Sequence, residues 1–182
     1  MDGGSSLPYD AEIEYLESTG TQYIDTGITQ RQIVDAYYKL RFTSVSGVQV
    51  FFGVYHSTMA NARAQVYIND TTWKDTTVNN LQTQYSPSDR ANITTDYTLH
   101  SWTKAIKDND WTLFIFARNT DNNTPLPTKM RLYYLNMMSG SDLIRDFIPV
   151  RVGQTGYLYD KVSGELFGNA GIGDFVLGPD KT

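Results

Sequence analysis

Three carboxylates near the start of the chain are the first residues that could do chemistry. Glu12, Glu14 and Glu17 lie within six positions of one another. A pair of carboxylates can hydrolyse a glycosidic bond, one held protonated as the acid and one ionised as the nucleophile. In an extended strand Glu12 and Glu14 would share a face, while Glu17 would face away unless a bulge intervened. Charges at the beginning of a domain also protect a sheet edge from pairing with strangers. An edge or solvated role is the expectation carried forward, and no catalytic residue is assigned.

Aromatic side chains offer a second kind of chemistry, since the C–H face of a pyranose packs on a ring while Asn, Asp and Gln fix its hydroxyls. Trp73, Trp102 and Trp111, with Tyr55, Tyr67 and Tyr85, are the rings to consider. Trp73 stands out because Asn69-Asp70-Thr71-Thr72 before it and Lys74-Asp75 after it read as loop. The expected ligand site is therefore Trp73, Tyr55, Tyr85, Asn69 and Asp70. Trp111, inside an apolar run, is expected in the core.

Other groups suggest less. Asp121-Asn122-Asn123 and Asp108-Asn109-Asp110 cluster hard oxygens that suit calcium, but they are equally good turn sequences. No metal or other cofactor is assigned. His56 and His100 have no evident nucleophile or second ligand nearby in sequence. Arg145 and Asp146 are adjacent in a strand-like run, so they should point to opposite faces rather than pair. Asn-x-Thr triplets begin at Asn69, Asn92 and Asn122 and matter only on a eukaryotic secretory route. No helical pattern follows the glycines between Gly168 and Gly173, which argues against a phosphate-cradling loop.

Composition narrows the classes. The formal charge is −5 and no basic stripe is visible, a poor match to a polyphosphate backbone, so nucleic acid is not an expected partner. Without cysteine there are no disulfides, thiolate metal sites or cysteine nucleophiles. No run approaches the ~18 apolar residues that span a bilayer, so membrane insertion is not expected. Residues 1–6 have neither a basic start nor an apolar run and do not read as a secretory signal. The expectation is release by means other than secretion, or a leader already removed.

The elements that must position these groups read as strands. In residues 33–42, Val34, Ala36, Tyr38, Leu40 and Phe42 alternate with a polar face carrying Asp35, Lys39 and Arg41. Residues 48–54 are apolar enough for a central strand, and residues 64–68 and 111–117 are further strands. Residues 129–138 alternate through Met130, Leu132, Tyr134 and, less strictly, Asn136. Residues 143–148 follow the Gly140-Ser141-Asp142 turn, and the tail reads as two short hairpins with glycine at the reversals. A short helix is allowed around Leu99, Trp102 and Ile106, and segments 69–80 and 118–128 read as polar surface loops. With 13 Tyr, 8 Phe and 3 Trp and no βα alternation, the chain predicts an all-β, two-sheet antiparallel sandwich. Its expected bounds are 12–178, after a flexible tether at 1–11 and before a tail at 179–182.

Two stretches carry a resemblance. Residues 14–27 (EYLESTGTQYIDTG) resemble the opening of a laminin-G-like, concanavalin-A-like jelly-roll module. Residues 143–149 (LIRDFIP), 156–160 (GYLYD) and 167–171 (FGNAG) resemble its close, and 113–119 (LFIFARN) its middle. Such modules recur in surface proteins of gut bacteria and in virion proteins of their bacteriophages. The resemblance implies a jelly roll on a cell or virus surface that touches glycans. It also invites comparison of the three glutamates with the acidic strand of jelly-roll glucanases, but that motif lies in an interior strand and has Asp where Glu14 stands.

The function expected is a non-catalytic binding or adhesion module. The preferred setting is a bacteriophage virion, as a fibre or capsid-decorating protein on host cell-surface carbohydrate, with weak contacts multiplied over many copies. The alternatives are a lectin-like domain of a bacterial surface protein, a glycoside hydrolase of the jelly-roll glucanase type, and a purely structural domain that assembles with itself or a neighbouring virion or surface protein. A polar groove lined by one or two rings would favour sugar, and a large exposed apolar patch would favour assembly.

Overall fold

The structure is a computed structural model that describes residues 6–29, 35–44, 46–58, 63–69, 72–76, 82–85, 96–99, 110–122 and 124–182. The first strands are β1 (Ala11–Glu12), β2 (Leu16–Thr19), β3 (Ile24–Thr29), β4 (Asp35–Phe42) and β5 (Val48–Tyr55). There follow β6 (Arg63–Asn69), β7 (Thr72–Thr76), β8 (Gln82–Tyr85), β9 (Asp96–Leu99), β10 (Thr112–Ile115), β11 (Ala117–Thr120) and β12 (Thr124–Pro127). The chain closes with β13 (Lys129–Ser139), β14 (Asp142–Val152), β15 (Thr155–Asp160), β16 (Glu165–Phe167) and β17 (Val176–Leu177). No helix among the described residues is long and apolar enough to cross a membrane.

The strands form two sheets. Nine belong to the first, in which β13 pairs with β4 along one side and with β2 and then β14 along the other. Eight belong to the second, in which β5 lies between β6 and the successive pair β10 and β11. The fold is an all-β sandwich, with the apolar interior between the sheets. Tyr38 of β4 meets Phe51 and Phe52 of β5 across that interior, at ring separations of 4.5 and 6.2 Å. Each of these rings is fully buried, which stabilises the fold by about 1.5–3 kcal/mol apiece before entropy is counted.

Alternation holds in β4, where Ala36, Tyr38, Leu40 and Phe42 are buried and Lys39 and Arg41 lie on the outer side. In β13 it changes phase. Met130 and Leu132 are buried as expected, but the next buried residues are Leu135 and Met137, not Tyr134 and Asn136. A bulge causes the change, because the register with β4 shifts between Leu132 and Tyr134. The extra residue lets the strand keep its more apolar side chains inside. A second bulge, between Val50 and Phe52 of β5, turns Phe51 and Phe52 together into the core.

Several loop and strand expectations need correction. Residues 111–117 are not one strand, because Phe116 adopts φ = +66° and reverses the chain. β10 therefore runs antiparallel to β5 and β11 runs parallel to it. The Asn119 side chain donates to the Thr112 carbonyl at 3.0 Å and ties the reversal. Segment 118–128 is a hairpin rather than a loop, its turn formed by Asp121 and Asn122 at φ +47° and +56°, a conformation these residue types tolerate. Segment 69–80 contains β7, in which Thr and Trp, good strand formers, outweigh the polar spelling. Leu99 ends β9, so it is extended rather than helical, and Trp102 and Ile106 lie outside the described residues. Only the first tail hairpin forms, between β15 and β16. β17 pairs instead with the distant β2. Backbone hydrogen bonds also tie Asp10 to Arg151 and Lys181 to Glu12.

Candidate functional site

The β13 bulge builds a groove on the outer side of the nine-stranded sheet. Because Leu132 and Leu135 both turn inward, the two residues between them, Tyr133 and Tyr134, both lie on the outer side of the nine-stranded sheet. There β13 has left β2 and not yet met β14, so the chain between β1 and β2 passes alongside. Tyr133, Tyr134, Glu14, Lys39 and Lys181 line a groove of about 300 Å³.

Each lining residue has its own support. Lys39 is register-paired with Tyr134 on one flank and with Asp96 on the other, and its ammonium lies 5.3 Å from the centre of the Tyr133 ring. The Tyr15 ring packs edge-on against Tyr133 at 5.8 Å, and the Arg131 guanidinium covers Tyr15 at 4.3 Å. Arg131 Nε donates to Glu17 at 2.6 Å, which holds the guanidinium even further above its ordinary pKa. Tyr133 is thus backed by a row of rings and charges.

Lys181 reaches the groove because the last residues run beside 12–15. Gly178 N donates to the Tyr15 carbonyl, Glu14 N to Pro179, and Lys181 N to Glu12, at 2.9–3.0 Å. The approach needs glycine, since a Cβ on residue 178 would meet Tyr15 N at 2.8 Å. Arg151 clamps this tail with two bonds to the Asp180 carboxylate, 2.7 and 2.6 Å long. Those bonds hold Asp180 below the usual carboxylate range.

The three glutamates do not converge. Glu17 is committed to Arg131, Glu12 accepts from the Tyr9 hydroxyl at 3.3 Å, and only Glu14 lines the groove. Burial and the neighbouring Glu12 raise the Tyr9 phenol above its ordinary pKa. The edge placement expected for this cluster is also corrected for Glu17, because β2 lies between β13 and β17. The long-range return of β17 covers the other side of β2.

The expected ligand residues are split by the fold. Trp73 and Tyr85 are direct register partners across β7 and β8, and Asn69 pairs with Thr72, one residue before Trp73. Trp73 is in a strand, not the loop its neighbours suggested. Asp70 lies outside the described residues. Tyr55 is at the far end of β5 from the pairing of Val48 with Asn69, roughly 23 Å away at the usual rise. One face of its ring is covered by the Arg118 guanidinium at 4.1 Å. Tyr67 is buried, and Trp111 precedes β10, half-buried against the core, with His56 stacked on it at 5.0 Å. His100, Trp102 and Asn92 lie outside the described residues.

The calcium candidates lie only partly among the described residues. Asp121 is committed to the chain just after β5, accepting from the Ser57 amide at 2.8 Å, and that bond lowers its carboxyl pKa. Asp108 and Asn109 lie outside the described residues, and among the described residues no three His, Asp or Glu groups gather as metal ligands. Arg145 and Asp146 do not pair with each other. Arg145 turns toward the buried Asp160, at 3.6 Å. Tyr133 and Tyr134 are the residues that sequence reasoning missed, and the polar Asn136 at a supposed core position was the available sign of a phase change. No protein family, curated protein or solved structure matches this chain.

Proposed function

We propose that this chain is a non-catalytic jelly-roll sandwich of the concanavalin-A-like type that binds cell-surface carbohydrate in the Tyr133–Tyr134 groove. The carrying observation is the pairing of two outward rings with Glu14, Lys39 and Lys181 around about 300 Å³. Rings supply a face for pyranose C–H groups, and the charged groups supply donors and an acceptor for hydroxyls. One carboxylate in the groove favours binding over hydrolysis, which needs two carboxyl groups flanking the bond. The terminal motifs' resemblance to surface and virion modules supports a setting on the outside of a particle, where many copies add their weak contacts. A virion fibre or decoration protein fits best.

The test is a multivalent form of the protein, coupled to beads, on an array of neutral and charged glycans, followed by NMR titration of the monomer with the best ligand. Binding is expected to shift the ring signals of Tyr133 and Tyr134, to fall about tenfold in Tyr133→Ala, and to release no reducing sugar. An array with no retained glycan, or shifts confined to the β7–β8 strands, would overturn the assignment.

A further inference from the structure

Charge around the groove identifies a narrower ligand class. We infer, resting on the carbohydrate reading above, that the groove selects an acidic saccharide, its carboxylate or sulfate held between Lys39 and Lys181. The chain as a whole is acidic, at −5, yet two cations and one anion line this groove. The ion pairs found among the described residues engage His56, Arg131, Arg145 and Arg151 and do not include Lys181, while Lys39 has Asp96 as its register partner on the far side from the groove rings. Glu17 is already matched by Arg131 and adds little repulsion. Arg41, on the outer side of β4 and register-paired with Arg131, adds positive charge beside the groove. A local positive field in a negative protein draws an anion to this face in preference to the rest of the surface. Lysine is a point charge rather than a planar fork, so carboxylate and sulfate fit alike.

Lys181 depends on a residue that does not line the groove. Asp180, clamped by Arg151, fixes the backbone one position before it. Asp180 is therefore a positioning residue for the anion, acting through Lys181.

The experiment measures affinity for oligogalacturonate, a sulfated chondroitin disaccharide and a neutral cello-oligosaccharide by NMR titration at low and high salt. The acidic probes should bind more tightly than the neutral one, and added salt should erase that preference without any variant being made. Lys39→Met and Lys181→Met should each reduce the preference about two- to fivefold. Asp180→Asn should reduce it in the parent but have no further effect in Lys181→Met, which a general loss of structure would not reproduce. Equal binding of acidic and neutral probes, or a preference that survives both lysine variants, overturns the inference and leaves the carbohydrate reading standing. Failure of all three probes, together with a silent glycan array, overturns the carbohydrate reading itself.

Discussion

Tyr133 and Tyr134 are consecutive in one strand, yet both lie on the outer side of the sheet, between Leu132 and Leu135 in the core. A regular strand cannot do this, since successive side chains alternate. The bulge opposite β4 supplies the extra residue. Leu135→Ala should therefore cost about 2–5 kcal/mol as a core truncation, and Tyr134→Ala clearly less, because its ring is only half-buried. Urea unfolding of the two variants checks the phase directly. The opposite order would place Tyr134 inside.

Asp160 holds the β15–β16 hairpin from within. Its carboxylate is fully buried, accepts from the amides of Asp146, Val162 and Ser163 at 2.8, 3.1 and 3.3 Å, and faces Arg145. Asp160→Ala leaves three amides without their acceptor and the largely buried guanidinium without its counter-charge. The expected loss is about 3–5 kcal/mol, read as a lowered urea midpoint. A loss under 1 kcal/mol would mean that the turn does not need this acid.

How far the sequence revealed the fold depended on whether a strand kept its rhythm. In β4 every second residue is apolar and every second residue is buried, so Tyr38, Leu40 and Phe42 were legible as core. β13 and β5 each carry one extra residue, and a period-two reading loses phase there. The aromatic pairs that the bulges aim, one inward and one outward, were hidden for that reason. β17 was misread because its partner β2 lies about 160 positions away, and local spacing carries no information about such a return. The groove draws on residues 14, 39, 133, 134 and 181, which only the folded sheet brings together.

The Arg151 clamp on the tail should respond to acid. Asp180 titrates below its ordinary value because Arg151 donates to its ionised form. Its stabilising effect is thus complete above about pH 4, the ordinary carboxylate pKa, and is lost as pH falls through the lowered folded value. Carbon-detected NMR of the Asp180 carboxyl should give a midpoint below the ordinary one, and Arg151→Met should restore it. The Lys181 amide, bonded to the Glu12 carbonyl, should report the same midpoint. An unshifted Asp180 would contradict the clamp.

Phe116 combines a left-handed backbone with a fully buried ring packed on Phe175 at 4.9 Å. Phe116→Ala should cost about 3–5 kcal/mol, because it loses the ring and keeps the unfavourable φ. Phe116→Gly loses the same ring but relieves the backbone, so it should be about 1 kcal/mol more stable than the alanine variant. Thermal melts of both variants decide it. The usual order, with alanine the more stable, would argue against the positive φ.

Because residues 178–181 lie beside the Glu14 connection, this stretch forms the rim of the groove. A dye joined after Thr182 would start next to Lys181 and report directly on occupancy. Immobilising the protein by that same end would crowd the opening and mask weak ligands. Attachment through the β11–β12 turn, which belongs to the other sheet, would leave the opening clear.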